Sequence, residues 1–562
     1  MRNHRKPRRW LTLIMSAVCI SWSMTAAVLS VDEEQPSTEV AAQLFEGMGP
    51  HQRRISTTSS EARQYFDQGL TWIYAFNHHE AIRSFLRAAE LDPGCAMAWW
   101  GVAYCEGPNY NDSVMTNARS KAAWYALQNA MARLEGTSDV ERALIEALAK
   151  RYANPWPEDR SHLEQAYADA MADVWSAFPD DPDVGALYAE SLMVLKPWQL
   201  YTPDRMPVEG TETIVATLDR VLQLQPDHPG ANHLYIHAVE PSRDPGQALK
   251  AAAALDDLVS ASGHLLHMPS HIYIQVGQWD RAIQQNVKAM RSDARFRQLA
   301  PDHTFQQLYM VHNAHMLAFA AMMSGREDEA MAAARAMWTE IPEPVLREIG
   351  PVFDRWMSSV YDVQKRFGRW DAILQEPAPP DYLPVTVAVW RAHRAIAQAA
   401  KHDFAAAETE YTKFRQARTS LPPDHMTEGD LADRFLSVSD LFVRGEIALQ
   451  KGEWELAATL LQEAADIEST LSYGEPPQWL QPVRHTLGAV YLKAKHFEDA
   501  ERVYREDLAK WPKNGWSLYG LSRALEGQGR TAEAREVQKA YEVAWSRADA
   551  PIDTSCKCLP GT

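Results

Sequence analysis

The chain has 562 residues, of which 46% are apolar and 23% are charged. This composition supplies enough apolar surface for a large core and excludes a largely disordered chain. The net charge of -18 and the lack of a basic stripe argue against a nucleic acid partner, because phosphate recognition needs clustered lysine and arginine.

Residues 1–30 have the three parts of an export signal. The basic stretch MRNHRKPRR precedes the apolar run WLTLIMSAVCI, and small residues follow at 25–27. We therefore expect a signal peptide and an exported protein, either periplasmic or secreted. Arg8 and Arg9 leave a twin-arginine signal open beside an ordinary secretory one, and an uncleaved anchor is a third alternative. No later apolar run reaches the roughly 18 residues that a membrane span needs, so none is expected in the mature chain.

A helical hairpin motif recurs from residue 61 onwards. Residues 62–94 read ARQYFDQGLTWIYAFNHHEAIRSFLRAAELDPG, with Gly69 where two helices must touch and Ala81 in the second helix. Similar units occur at VGQWDRAI, MSGREDEAM, KGEWELAATLL, AKHFEDAERVY and GQGRTAEAREV. The pattern resembles the tetratricopeptide repeat, a pair of antiparallel helices of about 34 residues. The resemblance implies an all-α fold, a tetratricopeptide-repeat α-solenoid of roughly ten to twelve helix pairs.

The repeats and the segments between them predict six regions. These are a signal peptide at 1–30, a linker at 31–60, an N-terminal array at 61–228, His-rich central units at 229–342, a C-terminal array at 343–548 and a tail at 549–562. Two proline-rich stretches, IPEPVLREIGPVF and QEPAPPDYLPV, are expected to interrupt the array, because proline breaks helices. The tail carries Cys556-Lys557-Cys558, which can bind a soft metal or form a disulfide, with an inert structural role as the alternative.

Histidines recur in register in three consecutive units of the central array. Each of three histidines stands 15 residues before a small alanine: His233 before Ala248, His267 before Ala282 and His315 before Ala330. Matched offsets in the same units add His237, Glu240, His264, His271 and His312. Side chains 3, 4 and 7 residues apart share one face of a helix. Because the tetratricopeptide resemblance implies that first helices line a concave groove, we expect all eight side chains to face that groove.

This set of residue types favours a metal site. Neutral imidazole is a ligand for copper, iron and zinc, and several rings must converge to bind an ion tightly. We therefore predict a site for one or two ions, with Glu240 as a ligand and as a bridging group or general base. Glu106 is a second catalytic candidate, because Gly107 and Pro108 end its helix near the predicted groove.

Three functions remain open from the sequence. The first is an exported metal-dependent oxidoreductase or hydrolase. The second is a non-enzymatic interaction scaffold whose groove takes a peptide or small molecule, and the third is metal storage or delivery that uses Cys556 and Cys558. His485 also stands 15 residues before an alanine, without ligand-type neighbours, so one histidine in that position means little. The Gly-x-Ser-x-Gly, phosphate-loop, dinucleotide and His-Glu-x-x-His motifs are all absent from the sequence.

Overall fold

The computed structural model describes residues 42–300, 304–427 and 429–559, and these residues are almost entirely helical or in short connections. The predicted signal peptide at 1–30 lies outside the described residues, as does the first part of the predicted linker. Two short strands, β1 (Met426–Thr427) and β2 (Asp430–Leu431), pair antiparallel with Met426 opposite Leu431. None of the described helices is both long enough and apolar enough to cross a membrane.

The described chain contains 26 α-helices, which follow the three predicted arrays. The N-terminal array has α1 Ser60–Tyr74, α2 His78–Leu91, α3 Ala96–Cys105, α4 Asn117–Met131, α5 Asp139–Leu148, α6 Ser161–Ala177, α7 Pro182–Met193 and α8 Thr211–Leu224. The central array has α9 Pro229–Val239, α10 Leu249–Leu255, α11 Gly263–His267, α12 Pro269–Gln275, α13 Trp279–Leu299, α14 Thr304–Met323 and α15 Glu327–Glu340.

The C-terminal array has α16 Glu343–Phe353, α17 Ser359–Arg366, α18 Trp370–Gln375, α19 Pro384–Ala400, α20 Phe404–Ser420, α21 Ala432–Gln450, α22 Trp454–Glu468, α23 Val483–Ala494, α24 Phe497–Lys510, α25 Gly515–Gly527 and α26 Thr531–Ala544. Short 3-10 turns occur at Pro245–Ala248 and Asp354–Ser358. The two proline-rich stretches do interrupt the pairing: α16 is an extra helix, and residues 376–383 between α18 and α19 are not helical.

Consecutive helices pack as hairpins, in twelve pairs over the described chain. These are α1 with α2, α3 with α4, α5 with α6, α7 with α8, α9 with α10, α11 and α12 with α13, α14 with α15, α17 with α18, α19 with α20, α21 with α22, α23 with α24, and α25 with α26. Gly69 lets α1 and α2 touch as predicted, because a Cβ on it would stand 2.7 Å from the Phe85 ring. The prediction of a tetratricopeptide-type all-α solenoid is confirmed.

The predicted linker at 31–60 is corrected over its described part, because residues 42–59 pack on the array. The ring of Phe45 stacks on that of Phe296 at 5.8 Å between centroids. The Arg53 guanidinium forms a buried ion pair with Asp183 at 2.8 Å. Both partners lie far along the sequence, and this segment has no repeat pattern that could have indicated them.

The C-terminal end of the solenoid packs back on its centre. The Trp279 indole donates to the Pro512 carbonyl at 3.0 Å, and the Trp516 indole donates to the Met322 carbonyl at 3.0 Å. Leu480, Trp511 and Trp516 belong to the same apolar core as the central helices. The central array is therefore enclosed from both sides, which bears directly on its histidines.

Candidate metal centre

Three stretches of helix carry the central histidines. His228 caps the start of α9 by accepting a hydrogen bond from the Ala231 N–H at 3.0 Å, and α9 then presents His233 and His237 one turn apart. Pro269 ends α11 at Met268 and starts α12, because it cannot donate the hydrogen bond that a continuous helix needs. The break still leaves the histidines on both sides of it turned toward each other. The third stretch is α14.

The structure brings six of the seven predicted histidines together in two groups of three. Within each group the ligand nitrogens lie within 4.8 Å of one another; the groups are His233, His237 and His264, and His267, His271 and His312. The two groups adjoin, with ring centroids 5.8 Å apart for His237 and His271. We call these residues the six-imidazole cluster.

Facing nitrogens in the six-imidazole cluster come within hydrogen-bond distance. The Nε2 atoms of His267 and His271 are 2.7 Å apart, and those of His233 and His264 are 3.1 Å apart. Five of the six rings are at most 2% exposed, and only His312 is half-buried. The tetratricopeptide resemblance implies an open concave groove, but the structure encloses these side chains because other segments cover them.

The Nδ1 atoms of four rings point outward to fixed partners. The contacts are His233 to the Tyr74 carbonyl at 2.7 Å, His237 to Glu240 Oε1 at 3.0 Å, His267 to Asn286 Oδ1 at 2.7 Å, and His271 to Glu240 Oε2 at 2.6 Å. The Asn286 amide nitrogen donates to the Ala282 carbonyl, so its oxygen faces His267 and accepts. Because carbonyl and carboxylate oxygens accept, each Nδ1 carries the proton and each Nε2 turns inward with its lone pair.

A second carboxylate reaches the cluster from the segment between α22 and α23. Glu475 Oε2 lies 2.7 Å from His271 Nδ1, and the Gln275 amide donates to Glu475 Oε1 at 3.2 Å. Sequence reasoning missed Glu475, because it lies outside every hairpin and far along the chain from the histidines. Both oxygens of Glu240 contact ring N–H groups, so this carboxylate orients two imidazoles; acting as a ligand or base would require it to release them.

Burial and charge divide the rings into neutral and cationic ones. Burial, reinforced by neighbouring imidazoles, holds five pKa values well below the ordinary histidine value: those of His233, His237, His264, His267 and His312. Burial also opposes the charged form of His271, but Glu475 and Glu240 outweigh it and raise the pKa of His271 to about 10. The interior therefore combines two carboxylates with rings that are mostly uncharged.

Aromatic side chains form the walls around the rings. Phe76 contacts His233 at 4.5 Å between centroids, Tyr309 contacts His264 at 4.4 Å, and Trp356 contacts His312 at 5.4 Å. Tyr110 and Trp198 each lie 5.4 Å from His237. An apolar wall of this kind lowers the local dielectric and strengthens every interaction with charge inside it.

Two predicted site residues fall outside these groups. His315 stacks on Trp356 at 5.0 Å, and the charges that act on it belong to Arg355 and Asp362. Glu106 caps the end of α3, where its carbonyl accepts from Arg119 at 3.0 Å. Neither residue belongs to a group of ligand-type atoms found in the described chain. The reason for His315 is that it lies one turn further along α14 than His312, where the helix faces the C-terminal array.

Beside the six-imidazole cluster lies another group of polar side chains around Asp183. Its carboxylate accepts from His51 Nε2 at 2.9 Å, Arg53 at 2.8 Å, the Tyr74 hydroxyl at 2.6 Å and His228 Nε2 at 3.2 Å. We call these five residues the Asp183 cluster. It touches the six-imidazole cluster through Tyr74, whose carbonyl accepts from a ring of that cluster.

No protein-family model matches the chain, and no curated protein sequence matches it. Similar solved structures include the human IFIT1 dimer with m7Gppp-AAAA, at 15% identity and a TM-score of 0.30 over 87% of this chain and 91% of that chain. The APC/C hetero-tetramer Cut9-Hcn1 has 12% identity and a TM-score of 0.29 over 85% and 79%. Yeast Tom70 has 12% identity and a TM-score of 0.26 over 86% and 90%. Values this low say nothing about the ligands of this chain.

Proposed function

We propose that the six-imidazole cluster is a metal centre for one or two ions of copper, iron or zinc, and that the chain is an exported metal-dependent oxidoreductase or hydrolase. The observation that carries this proposal is the contact of 2.7 Å between the Nε2 atoms of His267 and His271. The outward contacts of both rings assign their neutral protons to Nδ1. Two inward lone pairs at this distance repel each other unless a cation lies between them.

That cation is either a proton on His271 or a metal ion. A proton on His271 Nε2 would satisfy the contact with His267, but it would satisfy that contact alone. His237 Nε2 is buried and has no hydrogen-bond partner in the described chain. A metal ion accepts several lone pairs at once, whereas a proton bridges only two. A cluster of six rings therefore suits a metal better than a shared proton.

The charge inside the site supports the same conclusion. Glu240 and Glu475 are both buried next to His271, and an uncompensated buried charge is costly. A divalent ion bound by neutral rings would balance the two carboxylates. Carboxylates that accept from the outer nitrogen of a ligating imidazole are the usual support of such sites, because they fix the ring and raise its basicity.

The donor set narrows the choice of metal and chemistry. Nitrogen donors suit copper, iron and zinc and disfavour magnesium and calcium, which prefer oxygen. Two groups of three rings offer room for two ions, and a single ion with outer histidines satisfies the same geometry. A redox-active ion would support electron transfer or oxygen chemistry, whereas zinc would activate water for hydrolysis.

Metal analysis of the purified full-length chain tests this proposal. We expect at least one transition metal ion per chain by mass spectrometry of the elements, retained after gel filtration. Optical and spin resonance spectra would then separate copper or iron from zinc, and oxygen-uptake and ester-hydrolysis assays would follow. A chain that folds, is offered each of the three metals and retains none would overturn the proposal.

The fold supports a second candidate, a protein-interaction scaffold. Helical-repeat solenoids of this type usually bind peptides along their concave face. A scaffold would keep a partner bound after the imidazoles of the cluster are replaced, whereas a metalloenzyme would lose its activity. Pull-down with a chain whose cluster histidines are replaced by alanine distinguishes the two functions.

A further inference from the structure

The last described residues of the chain are buried in the C-terminal array. Ser555 Oγ lies 2.6 Å from the Tyr504 hydroxyl and donates to the His485 carbonyl at 2.8 Å. The Gln450 amide donates to the Cys558 carbonyl at 2.6 Å. Cys556 and Cys558 are each only 3% exposed. The predicted tail is therefore a docked segment that carries two cysteines into the interior.

The two cysteines form a disulfide across a single intervening residue. A disulfide stabilises a fold mainly by closing a loop in the unfolded chain, and its effect grows with the length of that loop. A loop of this size restricts the unfolded chain very little. Stability of the fold therefore does not explain why the pair is placed here, and the chemistry of its sulfur atoms is the better explanation.

The surroundings of the sulfurs are those of a thiolate site. The Thr486 hydroxyl and the Cys558 backbone N–H each donate to Cys556 Sγ at 3.3 Å. Lys365 brings a buried ammonium group, 4.0 Å above the Phe442 ring and without a hydrogen-bond partner in the described chain. Hydrogen bonds and a nearby cation both favour the negatively charged form of sulfur.

A carboxylate completes the group. Glu446 Oε1 lies 3.9 Å from Cys556 Sγ, and Glu446 Oε2 has no hydrogen-bond partner in the described chain although the residue is 1% exposed. The two sulfurs and a Glu446 oxygen all lie within 4.8 Å of one another. These three ligand-type groups come from α21 and the docked tail, so the site exists only when the tail is in place.

We propose that the reduced Cys556 and Cys558 pair, together with Glu446, is a second metal site that binds a soft ion, Cu(I). A phosphine reductant opens the S–S bond: the phosphine takes oxygen from one water and becomes the phosphine oxide, and the two hydrogens of that water protonate the sulfurs. When Cu(I) binds, two copper–sulfur bonds form and both thiol protons leave to solvent. Thiolate is the ligand that Cu(I) prefers.

Anaerobic titration with Cu(I) against a chromophoric Cu(I) chelator tests the site. We expect the phosphine-reduced full-length chain to hold one Cu(I) more than the oxidised chain. Cys556→Ser/Cys558→Ser should abolish this difference, whereas Cys95→Ser/Cys105→Ser should keep it, because these free cysteines are buried elsewhere. Glu446→Gln should weaken the additional Cu(I) by at least about tenfold.

Each alternative outcome is decisive. A reduced chain that binds no additional Cu(I), or a difference that persists in the double serine variant, would overturn the proposal. Unchanged affinity in Glu446→Gln would remove the carboxylate from the site. If circular dichroism shows that the double variant does not fold, Cys558→Ser alone gives the same test, since it leaves one sulfur of the pair. The reduced-minus-oxidised difference is independent of any ion in the six-imidazole cluster, so the two proposals fail separately.

Discussion

The six-imidazole cluster and the Asp183 cluster are neighbours, and both combine buried histidines with carboxylates. They differ in what is left unpaired. In the Asp183 cluster, His228 Nδ1 accepts from a backbone N–H and its Nε2 donates to Asp183. His51 Nδ1 faces the Gln225 amide and its Nε2 also donates to Asp183. Every ring nitrogen there has a partner.

In the six-imidazole cluster the rings have partners only on their outer side. His237 Nε2, His264 Nδ1 and His312 Nδ1 are buried without hydrogen-bond partners in the described chain. Burying an unpaired polar atom costs roughly 1 to 3 kcal/mol, so a fold keeps several of them together only where something else binds. Proximity of ligand-type residues is therefore a weak criterion for a metal site, and unused lone pairs are the stronger one.

The largest expected effect is the loss of metal on removing facing ligands. We expect His267→Ala/His271→Ala to lower the bound metal by half if there are two ions, or entirely if there is one. The matched control is His51→Ala/His228→Ala in the Asp183 cluster, which should destabilise the chain and leave the metal content unchanged. Elemental analysis of both variants after gel filtration checks this. Equal metal loss in the two variants would remove the distinction between the clusters.

The Asp183 cluster should instead respond in stability. Asp183→Ala leaves Arg53 and three further donors without an acceptor in the interior, and breaking a buried ion pair in this way costs about 3–5 kcal/mol. Chemical denaturation followed by circular dichroism measures the loss. Asp180→Ala is the control, because its ion pair with Arg220 is exposed and should contribute nothing measurable. A small effect at Asp183 would show that its network can rearrange.

Acid should reproduce part of that loss. Burial opposes the charged form of Asp183, but Arg53 and the hydrogen bonds from His228 and His51 hold its pKa well below the usual range. Because the folded pKa lies below the unfolded value of about 3.9, the stabilisation is complete above that pH and declines as the pH falls below it. The stability difference between wild type and Asp183→Asn should therefore shrink on acidification. A constant difference across pH 6 to 3 would contradict the assignment.

The sequence predicted what lies within a hairpin or between adjacent hairpins. Fixed spacing to a packing alanine was enough to place His233 and His267 on one side of successive first helices. Such spacing carries no information about segments that return from a distance. Glu475 and the packed stretch at 42–59 were therefore missed, and the enclosure of the predicted groove was missed with them. Long-range packing of this kind depends on the curvature of the whole solenoid.

A smaller effect is expected from the carboxylates behind the rings. Glu240→Gln keeps the shape but loses the charge that orients His237 and His271, and we expect metal affinity to fall by about 10- to 100-fold. Glu475→Gln should weaken binding less, because it contacts only His271 of the cluster. Glu106→Gln is the control and should leave the affinity unchanged. Competition with a chelator measures all three, and an effect at Glu106 would return it to the site.

The smallest effect should come from His315, although the sequence places it in the same column as His233 and His267. Burial, with the positive charge of Arg355, holds the pKa of His315 well below its ordinary value, so the ring is neutral like those of the cluster. It nevertheless packs on Trp356 outside the two groups of three. We expect His315→Ala to retain its metal, whereas His312→Ala, one turn earlier on α14, should lose affinity. The two variants remove the same ring from the same helix, so a metal loss at His315 that equals the loss at His312 would mean that a seventh imidazole joins the cluster.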